Sequence, residues 1–141
     1  MMNPRSFLAL FLAALLGLAP GCDTKPVRVP RTTQTVALSP GGGARNVAMP
    51  LVSAIHVVLP GPAPGSGLAW VIGSNNNRVL EQLGPLKAVP AGPAPGSAPT
   101  SAVSFYALKP GRSVLRFFLV PTGVAEAVPA ASCTLTVVVE D

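Results

Sequence analysis

The sequence predicts an all-β fold, an Ig-like antiparallel β-sandwich of seven to eight strands. Its apolar residues alternate, or run in blocks of four to seven, and almost nowhere recur at helical spacing. Pro and Gly, 17 and 14 of 141 residues, cluster between those blocks, where they end strands and make turns. The third observation is residues 57–73, Val-Val-Leu-Pro-Gly-Pro-Ala-Pro-Gly-Ser-Gly-Leu-Ala-Trp-Val-Ile-Gly. Two β-rich runs there flank a segment whose prolines lack ladder donors and whose glycines tolerate positive φ. It reads as a stiff loop between two strands, with Trp70, the single Trp of the chain, as structural anchor of the second.

Residues 1–21 have the parts of an export signal peptide: Arg5, an uncharged run from Phe7 to Ala19, then small residues up to Gly21. That run of 13 residues is too short to span a hydrocarbon core, which takes about 20. Leu18-Ala19-Pro20-Gly21-Cys22 resembles a bacterial lipobox, with Gly21 as the small residue before the cysteine. Two processing routes stay open. Cys22 becomes the lipidated first residue of an envelope lipoprotein facing the periplasm or cell surface, or ordinary cleavage nearby leaves it a thiol. Residues 22–32, polar and basic with Pro26 and Pro30, read as a lipid-attached tether, and 33–141 as the sandwich.

The strands follow in order. Gln34–Leu38 ends at Pro40 and three glycines, and Asn46–Leu51, broken at Pro50, fits only an edge. Ala54–Leu59 points Ile55, Val57 and Leu59 inward, and Leu68–Ile72 does the same with Leu68, Trp70 and Ile72. After Ser74-Asn75-Asn76-Asn77, residues 78–83 form a short, ambiguous segment and 86–89 a strand. Ala102–Leu108 alternates Val103, Phe105 and Ala107 inward. The Lys109-Pro110-Gly111 turn leads into Ser113–Val120, with Leu115, Phe117 and Leu119 inward. Ser132–Glu140 closes the sandwich, and Cys133 alternates there with Leu135, Val137 and Val139 as a small buried hydrophobe.

Gly61-Pro62-Ala63-Pro64-Gly65-Ser66 recurs as residues 92–97. The repetition is either compositional or the mark of two loops that build one stiff surface at the same end of the sandwich, joined there by residues 121–131.

Little supports catalysis. His56, the single His, lies on the outward parity of its strand, and no Asp or Glu nearby in sequence could orient it. The five carboxylates, Asp23, Glu81, Glu126, Glu140 and Asp141, are scattered, so an acid/base pair or hard-cation cage is not expected. One His and two distant Cys do not make a zinc site, and no Gly-rich loop precedes a helix. We therefore expect no enzyme, no metal and no cofactor. From Cys22 onward nine basic and five acidic groups leave a net charge of +4. That surplus suits contact with an anionic membrane, but no aromatic residues interleave with the basic ones as nucleic-acid binding would want.

Pro64, Gly67 and Trp70, with Ser66 at a Thr position and Val57-Val58-Leu59-Pro60 before them, resemble the chagasin family of inhibitors of papain-like cysteine proteases. Residues 103–111, continuing to Leu115-Arg116-Phe117, and the strand Thr134–Val139 are also similar to it. The resemblance spans about residues 45–141. It implies reversible inhibition by three loops at one end of the sandwich: Pro60–Gly67 over the catalytic Cys, with Pro90–Thr100 and Pro121–Ala131 flanking. Carried over by position, the contact residues are Pro64, Gly65, Ser66 and Gly67, then Gly92 and Gly96, then Pro121 and Thr122.

The chain departs from the family at Ala63, where Asn is usual, and in the second loop, where prolines replace the Gly-x-Gly-Gly run. In the third loop Val120 and Thr122 stand for the family's Arg and Trp. Two functions follow: an envelope-tethered inhibitor of a papain-like cysteine protease, its partner, or a non-inhibitory Ig-like interaction module of the envelope.

Overall fold

The computed structural model describes residues 27–141, so the signal peptide and the lipid attachment expected at Cys22 lie outside the described residues. Eight strands follow one another: β1 (Thr33–Ala37), β2 (Arg45–Pro50), β3 (Ala54–Pro60), β4 (Leu68–Ser74), β5 (Leu80–Val89), β6 (Thr100–Ala107), β7 (Gly111–Pro121) and β8 (Ala131–Glu140). They form two four-stranded sheets, ordered β1-β3-β6-β5 and β2-β8-β7-β4. The fold is the all-β, Ig-like sandwich that the alternation implies.

Pairing departs from the antiparallel expectation only at two edges. β1 runs parallel to β3 and β2 parallel to β8, while the four other pairs are antiparallel. The cause lies in residues 38–44. Gly41 and Gly43, at φ of 79° and 77°, let the chain leave one sheet's edge, cross to the other and run back. Pro50 ends β2 on that edge, where a missing ladder donor is tolerated.

The second difference concerns residues 78–89. Arg78 and Val79 belong to a turn, closed by the Val79 and Leu80 amides donating to the Asn76 carbonyl. Leu80–Val89 is then one strand, not two segments. Its register against β6 shifts between Leu83 and Lys87, around Gly84 at φ 78° and Pro85. A positive-φ glycine followed by a residue without an N–H makes a bulge here, not a strand end.

The core lies between the sheets. Ile55, Val57 and Leu59 face Leu115, Phe117, Leu135 and Val137, with Val103 and Phe105 beside them, all buried. Phe105 and Phe117 are wholly enclosed, and Cys133 is buried among these apolar side chains. Trp70 is 5% exposed, and its Nε1–H donates to the Pro60 carbonyl at 3.0 Å. Because Trp70 sits in the sheet of β4 and Pro60 in that of β3, the indole joins the sheets at one end. It closes the mouth of the loop between those strands.

Two stability predictions follow from this packing. Trp70→Ala should cost on the order of 3–5 kcal/mol, a large share of the roughly 5–15 kcal/mol of a whole domain. Urea denaturation checks this, and an unshifted midpoint would contradict the anchor role. Burial also pushes the Cys133 thiol above its ordinary pKa. The unfolded chain therefore ionises first, so this contribution is intact below the ordinary thiol pKa and fades as pH rises through the folded one. Cys133→Ala should flatten that alkaline fall in melting temperature.

Candidate functional site: three loops at one end of the sandwich

Strand register puts three loops at the same end. Pro60, the last residue of β3, pairs with Thr100, the first of β6, and Thr100 with Val89, the last of β5. Leu68, opening β4, pairs with Pro121, and Leu119 with Ala131. The β3–β4 loop (61–67), the β5–β6 loop (90–99) and the β7–β8 loop (122–130) therefore emerge side by side.

The bases of the loops are tied together. The Gly61 amide donates to the Pro99 carbonyl at 2.9 Å, and the Ser101 hydroxyl donates to the Gly61 carbonyl at 2.8 Å. Both bonds join the first loop to the root of the second. At its other end the Gly67 carbonyl accepts from the Thr122 amide at 2.8 Å and from the Thr122 hydroxyl at 3.1 Å. With the indole on Pro60, the first loop is held at entry and exit by both its neighbours.

The repeated hexapeptide adopts one local structure twice. In the first loop the Ser66 amide donates to the Ala63 carbonyl, with Pro64 and Gly65 between them and Gly65 at φ 78°. In the second the Ser97 amide donates to the Ala94 carbonyl, around Pro95 and Gly96 at φ 82°. Both have the form of a type II turn, in which proline presets the first corner and glycine supplies the positive φ of the second. The repetition is thus conformational, and both copies sit at the same end.

Among the predicted contact residues, Pro64, Gly65, Ser66, Gly67, Gly92 and Gly96 are exposed along the first two loops. Pro121 is half-buried as the last residue of β7. Thr122 is exposed, but its hydroxyl and amide are engaged by Gly67. The third loop instead presents Val124 and Val128, the latter 85% exposed. Between the first loop and the root of the second lies an open hollow of about 330 Å³, walled by Pro62, Pro64, Leu68, Val89, Pro90 and Pro99. Glu126 is the one charged side chain across the three loops.

Ser101 escapes a reading based on loop composition because it lies in β6, and Pro60, counted from the sequence with the first loop, is the last residue of β3, where its carbonyl meets the indole. The signal for Ser101 is parity: a serine at the inward position of the series Ser101, Val103, Phe105 is buried and needs a partner. His56 is far from the loop tips, on the outer face of the β3–β6 pair, where its Nδ1 shares a hydrogen bond with the Ser104 hydroxyl at 2.8 Å. Among the described residues no three His, Cys, Asp or Glu side chains gather as metal ligands would.

No family model matches the chain, and no curated protein matches it in sequence. Solved structures do match in shape. The cysteine protease inhibitor EhICP2 from Entamoeba histolytica superposes with a TM-score of 0.59 at 16% identity, covering 79% of this chain and 100% of that one. The chain has the fold of a cysteine protease inhibitor. Amebosin gives a TM-score of 0.54 at 18% identity, again covering 79% of this chain and 100% of that one. At such identities the likeness is one of fold, and the chagasin-like sandwich implied by the loop and strand motifs is the one observed.

The inter-loop ties should be separable from core stability. Ser101→Ala and Thr122→Val should each cost about 0.5–1.5 kcal/mol. Amide exchange should speed up at Gly61 for the first and in residues 64–67 for the second, with the β3–β6 ladder staying protected.

Proposed function

We propose that this chain is a reversible, loop-mediated inhibitor of papain-like cysteine proteases, acting by contact and tethered in the bacterial envelope through lipid on Cys22. The observation that carries the reading is the joined loop end. Two uncharged, proline-stiffened tips and a third loop whose single charge is Glu126 stand side by side on bases fixed by Pro60, Gly61 and Gly67. The inhibitor fold supports it from the side of shape.

Prolines and closed turns leave little backbone entropy to lose on docking, so modest apolar contacts can count toward affinity. The first tip is a turn with Gly65 at positive φ, not an extended strand. Such a tip fills a cleft while offering no extended peptide for a nucleophile to cut. Val124 and Val128 would supply apolar contact beside it, in place of the engaged Thr122.

The alternative, a non-inhibitory interaction module, draws on one observation: no Arg, Lys or aromatic side chain occurs in the three loops. Arg and aromatic side chains dominate many interfaces.

Titration of the purified domain against papain and a cathepsin separates the two. Inhibition should be reversible and relieved by excess substrate. Ser66→Arg, at an exposed tip, should weaken it by at least about tenfold while leaving stability within about 0.5 kcal/mol. No slowing at micromolar domain would leave the interaction module standing alone.

A further inference from the structure

The end of the sandwich opposite the loops has different chemistry. Two turns interlock there. The Leu108 amide donates to the Val79 carbonyl at 2.8 Å, the Asn76 side chain donates to the Arg112 carbonyl at 3.3 Å, and the Ser113 hydroxyl donates to Asn75 at 2.8 Å. Arg78 and Lys109 in these turns and Arg112 at the start of β7 are all exposed. Arg31 joins them from the adjoining corner, its amide on the Val52 carbonyl.

Arg28 also lies at this end, ion-paired with Glu81 at 2.9 Å and stacked over Tyr106, 5.6 Å from the ring centroid. Glu140 closes β8 there and Asp141 follows it, so among the described residues five cations meet three carboxylates. The loop tips carry only Glu126.

The chain enters the fold at the same place. Thr33 pairs with Ala54, the first residue of the seven-residue β3, whose last residue, Pro60, is the loop mouth. From Cys22 to the clamped Arg28 is six residues, a reach of at most about 20 Å. An anchor at Cys22 would hold this end, not the loops, against a bilayer.

We propose that the pole bearing Arg31, Arg78, Lys109 and Arg112 rests on an anionic phospholipid surface, with the three loops presented outward. The complementarity is electrostatic and short-ranged, since screening confines it to about 8–10 Å at physiological salt. Each basic residue at such a surface contributes roughly fivefold to partitioning. Four of them bind weakly alone and fix orientation once an anchor supplies proximity. The inference is independent of protease inhibition.

Every strand and core residue described lies within 33–140, so residues 22–141 contain the complete sandwich. With Cys22→Ser, to remove acylation, this chain should sediment with vesicles of one part phosphatidylglycerol to three parts phosphatidylcholine. It should not sediment with phosphatidylcholine alone, and high salt should release it. Arg78→Gln, Lys109→Gln and Arg112→Gln together should lower partitioning roughly a hundredfold. The triple Arg45→Gln, Lys87→Gln, Arg116→Gln, which removes the same charge elsewhere, should leave it within about twofold. Unchanged melting temperatures exclude misfolding. Equal losses from the two triples, or no preference of the parent for anionic vesicles, would overturn the proposal.

Discussion

One hydrogen bond, from the Trp70 indole to the Pro60 carbonyl, organises the loop end of this protein. A buried indole needs an acceptor for its N–H, and a strand's last carbonyl, beyond its ladder, needs a donor. Each meets the other's requirement across the gap between sheets. The consequence is positional: the first loop leaves one sheet at Pro60 and re-enters the other at Leu68 with its mouth held by a rigid bicyclic side chain. Ser101 and Pro99 fix the next residue, Gly61, and Thr122 fixes the exit at Gly67. Without the indole those ties would hold a loop whose two ends belonged to sheets free to shift apart.

The loops are stiff for a reason separate from their anchoring. Turns made from Pro-Gly pairs restrict the unfolded chain as well as the folded one, so ordering them costs little. Using the same turn twice gives two tips of matching shape, spaced by the β3–β6–β5 ladder that carries their roots. The third loop follows other rules. Gly123 and Glu126 take positive φ, at 76° and 58°, and the loop closes where the Ala130 amide meets the Leu119 carbonyl at 2.7 Å. Its exposed valines give it an apolar face where the first two loops present prolines.

Most of the sandwich was legible because strand parity is a strong signal when one face is buried. Ile55-Val57-Leu59, Val103-Phe105 and Leu115-Phe117 each declare an inner face, and each is buried. The edges were less so. Parallel addition of β1 and β2 follows from where the glycine link at residues 41–43 sends the chain, and alternation within a strand says nothing of its neighbour's direction. Gly84-Pro85 looked like a strand end because the residues that interrupt a ladder also build a bulge within one. At the site, the loop positions could be read from composition. The ties could not: Thr122 stands at a family contact position, yet its polar atoms serve Gly67, a pairing between residues 55 apart.

The two poles divide the work of the surface. A contact inhibitor gains from uncharged tips, because every charge carried into a cleft must be desolvated or paired. A tethered protein gains from cations near its anchor, where an anionic surface adds attraction that needs no desolvation. Strands of 5–11 residues keep these requirements apart, with cations collected at one end and Glu126 the single charge on the loops at the other. Arg28 holds the segment before β1 at the charged end by pairing with Glu81 and covering Tyr106, so with the proposed anchor at Cys22 the path of the chain would decide which pole faces the membrane. Chain entry and loop exit lie at opposite ends, so under the proposed anchoring orientation would be a property of topology, with electrostatics reinforcing a direction already set by the strand order.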